Sequence, residues 1–279
     1  MKPFQRVLLA TDLSRQCRPA FFHALKLVLG GKGELHLLHV DSERQAHFGD
    51  FPQVRERLSR WGLLPEHAPR EAVAELGIRV FKQLDEGDPV EAIVGSAEDF
   101  DAELLVMATH ARKGWSRLLS DSISEQALRQ SQLPALLFPP GQEGFVEEET
   151  GQLHLQRVLL PLTRDPDPRP AQRALVRLLH TLGPASGQLL RVHVGEDRGL
   201  FEDLPCPPLP SGWTYRDQSL EGEVEASIVS LAAEFRPHLS VMTSKGRTSW
   251  KDLVWGSTLE RLIDQLKSPV LVLPAELDL

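Results

Sequence analysis

Two stretches of this 279-residue chain repeat each other at fixed spacings. Fragments near the start recur 151 positions later, and fragments further along recur 135 positions later. A long internal period of this kind indicates two copies of one folding unit, so any fold must accommodate the same unit twice. The repeated fragments are Arg6 to Leu9 with Arg157 to Leu160, Pro19-Ala20 with Pro170-Ala171, Val106-Met107 with Val241-Met242, Trp115 with Trp250, Ser122 with Ser257, and Pro134 with Pro269.

The bulk composition is that of a soluble globular protein, with 41% hydrophobic and 25% charged residues. A net charge of −8 lacks the basic excess that nucleic-acid binding needs, so no nucleic-acid partner is expected. Cys17 and Cys206 form no C-x-x-C pair, which favours reduced thiols. The first residues lack a signal-peptide pattern, and no apolar run reaches the ~18 residues of a membrane span. We therefore expect a cytoplasmic protein with no membrane partner.

The segment between the two units differs from both in composition. It contains Pro139-Pro140-Gly141 and the acidic run Glu147-Glu148-Glu149, which are typical of a solvated linker. We predict a first domain over residues 1–138, a linker over 139–154 and a second domain over 155–279. Each domain is long enough to bury a core of its own.

Strand-like and helix-like segments alternate along each unit. In the first unit, a helix is expected from about Gln16 to Leu29, with Pro19 in its first turn and Gly30-Gly31 ending it. The second unit follows the same order, with an irregular loop expected at the prolines between 205 and 210. This alternation predicts a parallel sheet with helices on both faces. The predicted strands of the first unit are Val7–Ala10, Leu35–Val40, Ile78–Leu84, Leu104–Ala108 and Pro134–Phe138.

The last strand of each unit would leave an unpaired sheet edge. These strands, Ala135 to Phe138 and Val270 to Leu273, are short and apolar. Because proteins usually cover such edges, we predict that the two edges meet and join the units about a pseudo-two-fold axis. The chain would then be an intramolecular pseudo-dimer, and further homodimerisation stays open.

Ligands of a doubly wound parallel sheet bind beyond the carboxyl ends of its strands, where the strand order reverses. If the first strand of each unit lies beside the fourth, the loops that follow these two strands face each other. Candidate binding residues are therefore expected in those loops. They are Thr11 to Ser14 and Thr109 to Ser122 in the first unit, and Pro161 to Arg164 and Thr243 to Ser257 in the second.

The loop after the fourth strand of the second unit has a distinctive spacing. Val241 to Gly246 is followed by nine residues and then by Gly256-Ser257. This pattern resembles the nucleotide-binding signature of the universal stress protein family, G-x2-G-x9-G-[S/T], and the first unit has the same frame. The resemblance implies an α/β fold of two doubly wound, parallel, five-stranded sheets, Rossmann-like and adenine nucleotide alpha hydrolase-like, related by a pseudo-two-fold axis. It also implies binding of ATP or another adenine nucleotide, with no metal beyond the Mg that accompanies it.

The first unit departs from this signature. Ala108, Ala111 and Asp121 occupy its three glycine positions, and only the closing serine is kept. Glycines let the backbone approach a phosphate, whereas alanines obstruct it and an aspartate repels it. Asp12 matches the family position that contacts the nucleoside; the alternative is that Asp12 or Ser14 caps the next helix. The candidate cofactor-binding residues of the first unit are Asp12, Val40 and Ser122.

The second unit keeps the last two glycines and the serine of the signature. Three basic residues near them, Lys245, Arg247 and Lys251, would offset phosphate charge. Thr243 replaces the first glycine, and Thr163 replaces the nucleoside-contacting aspartate. The structural alternative is that the glycines serve a turn and a helix entry, within a solvated basic surface. The candidate cofactor-binding residues of the second unit are Thr163, Val194, Met242, Thr243, Ser244, Gly246, Arg247, Gly256, Ser257 and Thr258.

Other motifs give little support for catalysis or metal binding. The sequence contains no H-E-x-x-H cluster, G-x-S-x-G elbow or G-x-x-x-x-G-K-[ST] loop. His39 and His193 hold matching places near the end of the second strand, where bonding to backbone is commoner than pH sensing. Trp115 and Trp250 follow the signature loops, where packing is the default role and lining a ligand the alternative. No catalytic residue and no metal ligand is predicted.

The resemblance implies a non-catalytic protein of stress adaptation or regulation. It would respond to an adenine nucleotide in its second unit and act on an unknown protein partner. One alternative is a protein-interaction module in which both nucleotide sites are vestigial. Another is a slow nucleotide hydrolase. The sequence argues against it, because Asp252 is the only carboxylate near the glycines of the loop after the fourth strand of the second unit, and we expect Asp252 to be exposed to solvent rather than to act as a general base.

Overall fold

The computed structural model describes residues 2–41, 45–109, 123–197, 199–244 and 258–275. The strands in these ranges are β1 Arg6–Ala10, β2 Glu34–Val40, β3 Arg79–Asp85, β4 Leu104–Ala108, β5 Ala135–Phe138, β6 Arg157–Pro161, β7 Gly187–Val194, β8 Trp213–Leu220, β9 Leu239–Ser244 and β10 Val270–Pro274. The α-helices are α1 Arg18–Gly31, α2 Val54–Arg60, α3 Ala72–Glu75, α4 Pro89–Asp99, α5 Ile123–Ser131, α6 Arg169–Leu182, α7 Leu200–Asp203, α8 Val224–Phe235 and α9 Thr258–Gln265. None of these helices has the length and apolar character that crossing a membrane requires.

These strands form a single sheet in the order β3-β2-β1-β4-β5-β10-β9-β6-β7-β8. Neighbouring strands are parallel within each unit, while β5 and β10 pair antiparallel, with Leu136 opposite Leu271. The predicted meeting of the two sheet edges is confirmed, and the palindromic order fits two like units related by a two-fold axis. Because the central pair is antiparallel, the carboxyl edges of the two units lie at opposite ends of the sheet. Each edge therefore draws its binding residues from one unit.

Each face of the sheet carries a core that runs through both units. Successive side chains of a strand point to opposite faces; in β4, Leu104 and Val106 face one core, and Leu105 and Met107 face the other. The first core packs against α1 and α6, and the second against α4, α5, α8 and α9. Each of the two hydrophobic cores thus contains residues of both units.

Helix α1 ends at Gly31, within the predicted glycine pair and two residues beyond the predicted Leu29. The left-handed residue that follows it is Lys32, with φ of 50°, so neither glycine is needed for that conformation. The two glycines permit close packing: a Cβ on Gly30 would lie 2.0 Å from the carbonyl oxygen of Thr181 in α6, and one on Gly31 would lie 2.1 Å from that of Phe4. The local pattern could not reveal this, since the Thr181 contact comes from the other unit.

Replacing Gly30 by alanine is expected to lower the free energy of unfolding by about 1–3 kcal/mol, because the added methyl group overlaps the backbone of α6. Gly95 in α4 is the matched control, since a Cβ there meets no atom within 4 Å. Gly95→Ala should raise the free energy of unfolding by roughly 0.5–1 kcal/mol, the usual gain over glycine inside a helix. Urea denaturation measures both changes, and shifts of the same sign would contradict the close helix contact.

The segment that connects β5 to β6 packs against the first unit. Glu148 accepts through its backbone oxygen from Arg57 (2.6 Å) and from the indole N–H of Trp61 (2.8 Å). Its carboxylate forms ion pairs with Arg18 and, at 3.3 Å, with Arg57. The acidic run keeps much of its side-chain surface exposed, as a solvated linker would, but it also docks on arginines of α1 and α2 that are distant in sequence, which the sequence does not predict.

His23 is the buried contact that receives this segment. Its Nδ1 donates to the carbonyl of Pro19 (2.7 Å), and its Nε2 accepts from the backbone N–H groups of Phe145 (2.8 Å) and Val146 (3.0 Å). Complete burial lowers the pKa of His23 to about 3. The imidazole is therefore neutral at physiological pH, and only the neutral ring can accept hydrogen bonds through Nε2.

Candidate functional site

A cleft of about 420 Å³ opens at the carboxyl edge of the first unit. It brings together Asp12, from the loop after β1, and Val40, at the end of β2, which are two of the predicted binding residues. Leu13 also lines the cleft; its φ of 61° is unusual for a bulky residue, and its N–H donates to Thr11 Oγ1 at 3.0 Å. The other lining residues are His39, Asp41, Gln45, Ala46 and Asp50.

The carboxylate of Asp12 is engaged within its own loop. Its Oδ1 accepts from the backbone N–H of Ser14 (2.8 Å) and from the thiol of Cys17 (2.9 Å). Burial, followed by the hydrogen bond to Asp12, raises the pKa of Cys17 to about 11, so the thiol is protonated at neutral pH. Ser14 makes no side-chain cap. Of the two capping alternatives, it is therefore Asp12 that closes the turn ahead of α1.

Acidic side chains dominate the cleft of the first unit. Asp12, Asp41 and Asp50 line it, and neither lysine nor arginine occurs among its described lining residues. Two like charges ~4 Å apart repel by about 4 kcal/mol at an effective dielectric of ~20, so this lining disfavours a phosphate. Asp41 and Asp50 are site residues that the sequence does not single out, because neither the repeat nor the signature covers them.

An ion-pair network bridges the corresponding edge of the second unit. Arg164, in the loop after β6, donates to Asp197 at 2.5 Å and to Asp203 at 2.7 Å. Thr163 is exposed, and its hydroxyl donates to the carbonyl of Asp165 at 3.2 Å, within the same loop. From the sequence, Arg164 falls within a candidate binding loop, but its ion pairs with Asp197 and Asp203 are not predicted. The replacement of an apolar residue by arginine at this point of the repeat is the signal that marks it.

Strand β9 leads into the predicted phosphate loop of the second unit. Met242 and Ser244 are buried there, and Val194 is half-buried at the end of β7. Thr243 Oγ1 is shielded from solvent and has no hydrogen-bond partner within the part of the chain that the structure describes. Thr258 begins α9. Other residues named from the sequence lie outside the described ranges: Ala111, Trp115, Asp121, Ser122, Lys245, Gly246, Arg247, Trp250, Lys251, Asp252, Gly256 and Ser257.

The two matching histidines make the same contact in both units. Nδ1 of His39 lies 2.7 Å from the carbonyl oxygen of Thr11, and Nδ1 of His193 lies 3.0 Å from that of Leu162. Since a carbonyl can only accept, each Nδ1 carries the proton. Both histidines therefore bind the loop that follows the first strand of their unit to the end of the second strand.

Comparison with known proteins gives the family. The sequence model of the universal stress protein family matches residues 3–139 and 214–274. A universal stress protein of Methanocaldococcus jannaschii is 24% identical over 138 residues, which are 48% of this chain and 81% of that protein. Another, from Bacillus subtilis, is 24% identical over 147 residues, which are 48% of this chain and 98% of that protein.

Solved structures extend the likeness over both units. A universal stress protein from Archaeoglobus fulgidus gives a TM-score of 0.66 at 22% identity, covering 98% of each chain. A functionally unknown protein from Pseudomonas aeruginosa gives a TM-score of 0.65 at 14% identity, and the match covers 98% of this chain and 93% of that protein's chain. These likenesses confirm the predicted α/β class. With the family match over most of its length, the chain belongs to the universal stress protein family.

Proposed function

We propose that this protein is a non-catalytic, cytoplasmic regulator in stress adaptation that binds an adenine nucleotide in its second unit. The domains are those proposed from the repeat, residues 1–138 and 155–279 around the connecting segment. The nucleotide phosphates would contact the loop between β9 and α9, with Gly246, Gly256 and Ser257 as the backbone and hydroxyl donors. Nucleotide binding would change the affinity for a protein partner, with no turnover.

The observation that supports this proposal is the unsatisfied hydroxyl of Thr243. A shielded polar atom without a partner costs about 1–3 kcal/mol, so native proteins rarely keep one without a use. Thr243 Oγ1 is such an atom among the described residues, and it lies near the end of β9, beside the predicted phosphate loop. A ligand oxygen at this edge would accept the hydrogen bond for which the described part of the chain offers no acceptor.

The contrast between the two edges supports assigning the nucleotide to the second unit. The cleft of the first unit presents Asp12, Asp41 and Asp50, and its signature loop carries Asp121 in the sequence. The loop of the second unit carries Lys245 and Arg247 instead. Phosphate charge is repelled by the first set and attracted by the second.

Calorimetric titration with Mg-ATP tests the proposal on the full chain. Gly246→Asp should abolish binding, because it adds a side chain and a negative charge where the phosphates would lie. Ala111→Asp is the matched control, since it introduces the same aspartate at the equivalent position of the first unit, and ATP binding by this variant should equal that of the parent. Equal loss in both variants, or ATP hydrolysis by the parent, would contradict the proposal.

Thr243→Val separates a binding role from a structural one. Valine keeps the shape of the side chain and removes the unsatisfied hydroxyl, so the free energy of unfolding without nucleotide should rise by about 1 kcal/mol. ATP affinity should fall about five- to tenfold, the usual loss for one hydrogen bond. Denaturation and calorimetry measure the two effects. A variant that binds ATP as tightly as the parent would remove Thr243 from the site.

A second candidate function is a protein-interaction module with a vestigial site in the second unit. The ion pairs that join Arg164 to Asp197 and Asp203 favour it, because they cross the space between the loops after β6 and β7. Arg164→Ala distinguishes the two functions. It should strengthen ATP binding if the network merely competes with the nucleotide, and it should leave a vestigial site unable to bind.

A further inference from the structure

A second cavity, of about 270 Å³, lies in the first unit between the start of α1 and the residues of α2. It shares Leu13 and Asp50 with the acidic cleft, but it is also lined by Phe21 and Phe22, which belong to the core that packs against α1. At about 30 Å³ per water, its volume corresponds to roughly nine waters, enough for one six-membered ring with a small substituent. No part of the nucleotide proposal uses this cavity.

The inner wall of this cavity is mostly apolar, and its hydroxyl groups are those of Thr11, which accepts from the N–H of Leu13, and of Ser14. Phe21 and Phe22 are each 3% exposed, and the thiol of Cys17 is kept neutral by its burial and by Asp12. Ser14 Oγ, which also lines the cavity, is shielded from solvent and has no partner among the described residues. A ligand of mixed character fits this wall, with a ring against the phenylalanines and an acceptor within reach of the serine.

The outer wall carries three arginines, Arg18, Arg57 and Arg60, and two carboxylates, Asp50 and Glu56, so positive charges exceed negative ones by one. Arg18 and Arg60 lie at the rim, where they are about half exposed. Glu56 is ion-paired with Arg60 at 2.6 Å, which leaves Arg18 and Arg57 as the cations that a ligand could engage.

The Arg57 side chain is 8% exposed, and its guanidinium carbon lies 4.5 Å from the ring centroid of Phe22. A buried guanidinium requires an anionic partner. Here the carboxylate of Glu148, from the connecting segment, pairs with both Arg18 and Arg57, and Glu149 lies 3.8 Å from Arg57 as a second, more distant partner.

We propose that this cavity binds a small aromatic carboxylate, whose ring contacts Phe21 and Phe22 and whose carboxylate replaces that of Glu148 on Arg18 and Arg57. Glu148 is 36% exposed, so its displaced carboxylate moves readily into solvent. The guanidinium groups remain paired throughout, which avoids the large cost of an unpaired buried charge. Ligand and Glu148 compete for the same arginines, so ligand binding loosens the connecting segment. The coupling is reciprocal: the factor by which the ligand weakens the pairing of Glu148 with these arginines equals the factor by which loss of the Glu148 charge strengthens ligand binding.

Benzoate is the probe, and benzamide, which has the same size and no charge, is its control. Titrations of the full ¹⁵N-labelled chain should show saturable benzoate binding with a Kd of about 1–10 mM, as expected for a ligand of this size, and binding of benzamide at least about tenfold weaker. The indole N–H of Trp61 reports on the connecting segment, since it donates to the backbone oxygen of Glu148. Its resonance should shift with benzoate and stay in place with benzamide.

Variants with exposed side chains test the exchange without threatening the fold. Glu148→Gln should tighten benzoate binding about three- to tenfold, and Arg18→Gln should weaken it by a similar factor. Glu143→Gln removes the same charge elsewhere in the connecting segment and should leave the affinity at the parent value. Equal binding of benzoate and benzamide would overturn the proposal. So would an affinity for benzoate that Glu148→Gln leaves unchanged, or no saturable shift in that variant up to about 50 mM.

Discussion

A lysine in place of Leu136 or Leu271 is expected to lower the free energy of unfolding by about 4 kcal/mol or more, since it places an ammonium group in the centre of the sheet. Both leucines are fully buried, they lie opposite each other in the β5–β10 pair, and both belong to the core that packs against α1 and α6. The substitution therefore weakens the contact between the two units. The parent should unfold in one cooperative transition, and each variant should unfold in two.

Leu63→Lys is the control for this experiment. Leu63 is 43% exposed, so the same substitution there should change the free energy of unfolding by no more than about 0.5 kcal/mol. Urea denaturation, followed by both circular dichroism and tryptophan fluorescence, distinguishes one transition from two. A single unshifted transition in Leu136→Lys would mean that the pairing of β5 with β10 does not hold the units together.

Replacing His23 by leucine is expected to lower the free energy of unfolding by about 2–4 kcal/mol at pH 7. The imidazole Nε2 accepts from the N–H groups of both Phe145 and Val146, so its loss leaves two buried donors without an acceptor. His154→Leu, in the same segment, is the control, because the His154 side chain is 58% exposed. It should leave the stability within about 0.5 kcal/mol of the parent.

The same histidine predicts a distinctive pH dependence. Burial lowers the pKa of His23 from 6.5 to about 3, so the unfolded chain takes up a proton below pH 6.5 while the folded chain remains neutral there. The stability that His23 provides is thus fully present above about pH 6.5 and falls by up to about 1.4 kcal/mol per unit as the pH drops towards 3. His23→Leu lacks this loss. The difference in free energy of unfolding between the parent and His23→Leu should become smaller from pH 7 to pH 5. A difference that stays constant over this range would show that His23 titrates normally in the folded chain.

Features encoded locally or by the repeat could be predicted from the sequence. The bounds of β4, Leu104–Ala108, follow from its apolar run, and the pairing of β5 with β10 follows from two short apolar strands that each needed a partner. What the sequence could not supply are contacts between distant segments. The role of Gly30 depends on Thr181, and the docking of the acidic run depends on Arg57 and on buried His23. Local periodicity carries no information about such partners.

The residues of the candidate site likewise include some that the sequence could place and some that it could not. Asp12 and Val40 could be placed at one edge, because the ends of β1 and β2 meet there in any sheet of this type. Asp41 and Asp50 reach that cleft through the long connection between β2 and β3, for which the sequence offers no template. Arg164 pairs with Asp197 and Asp203 across two loops, a contact that depends on the three-dimensional path of both.

A crystal structure of the full chain grown with excess Mg-ATP tests the assignment of the nucleotide most directly. We expect one nucleotide per chain, at the carboxyl edge of β9, with its phosphates against Gly246 and Ser257 and an oxygen within hydrogen-bond distance of Thr243 Oγ1. Nucleotide bound only in the acidic cleft that Asp12 and Val40 line would contradict the assignment of the two units.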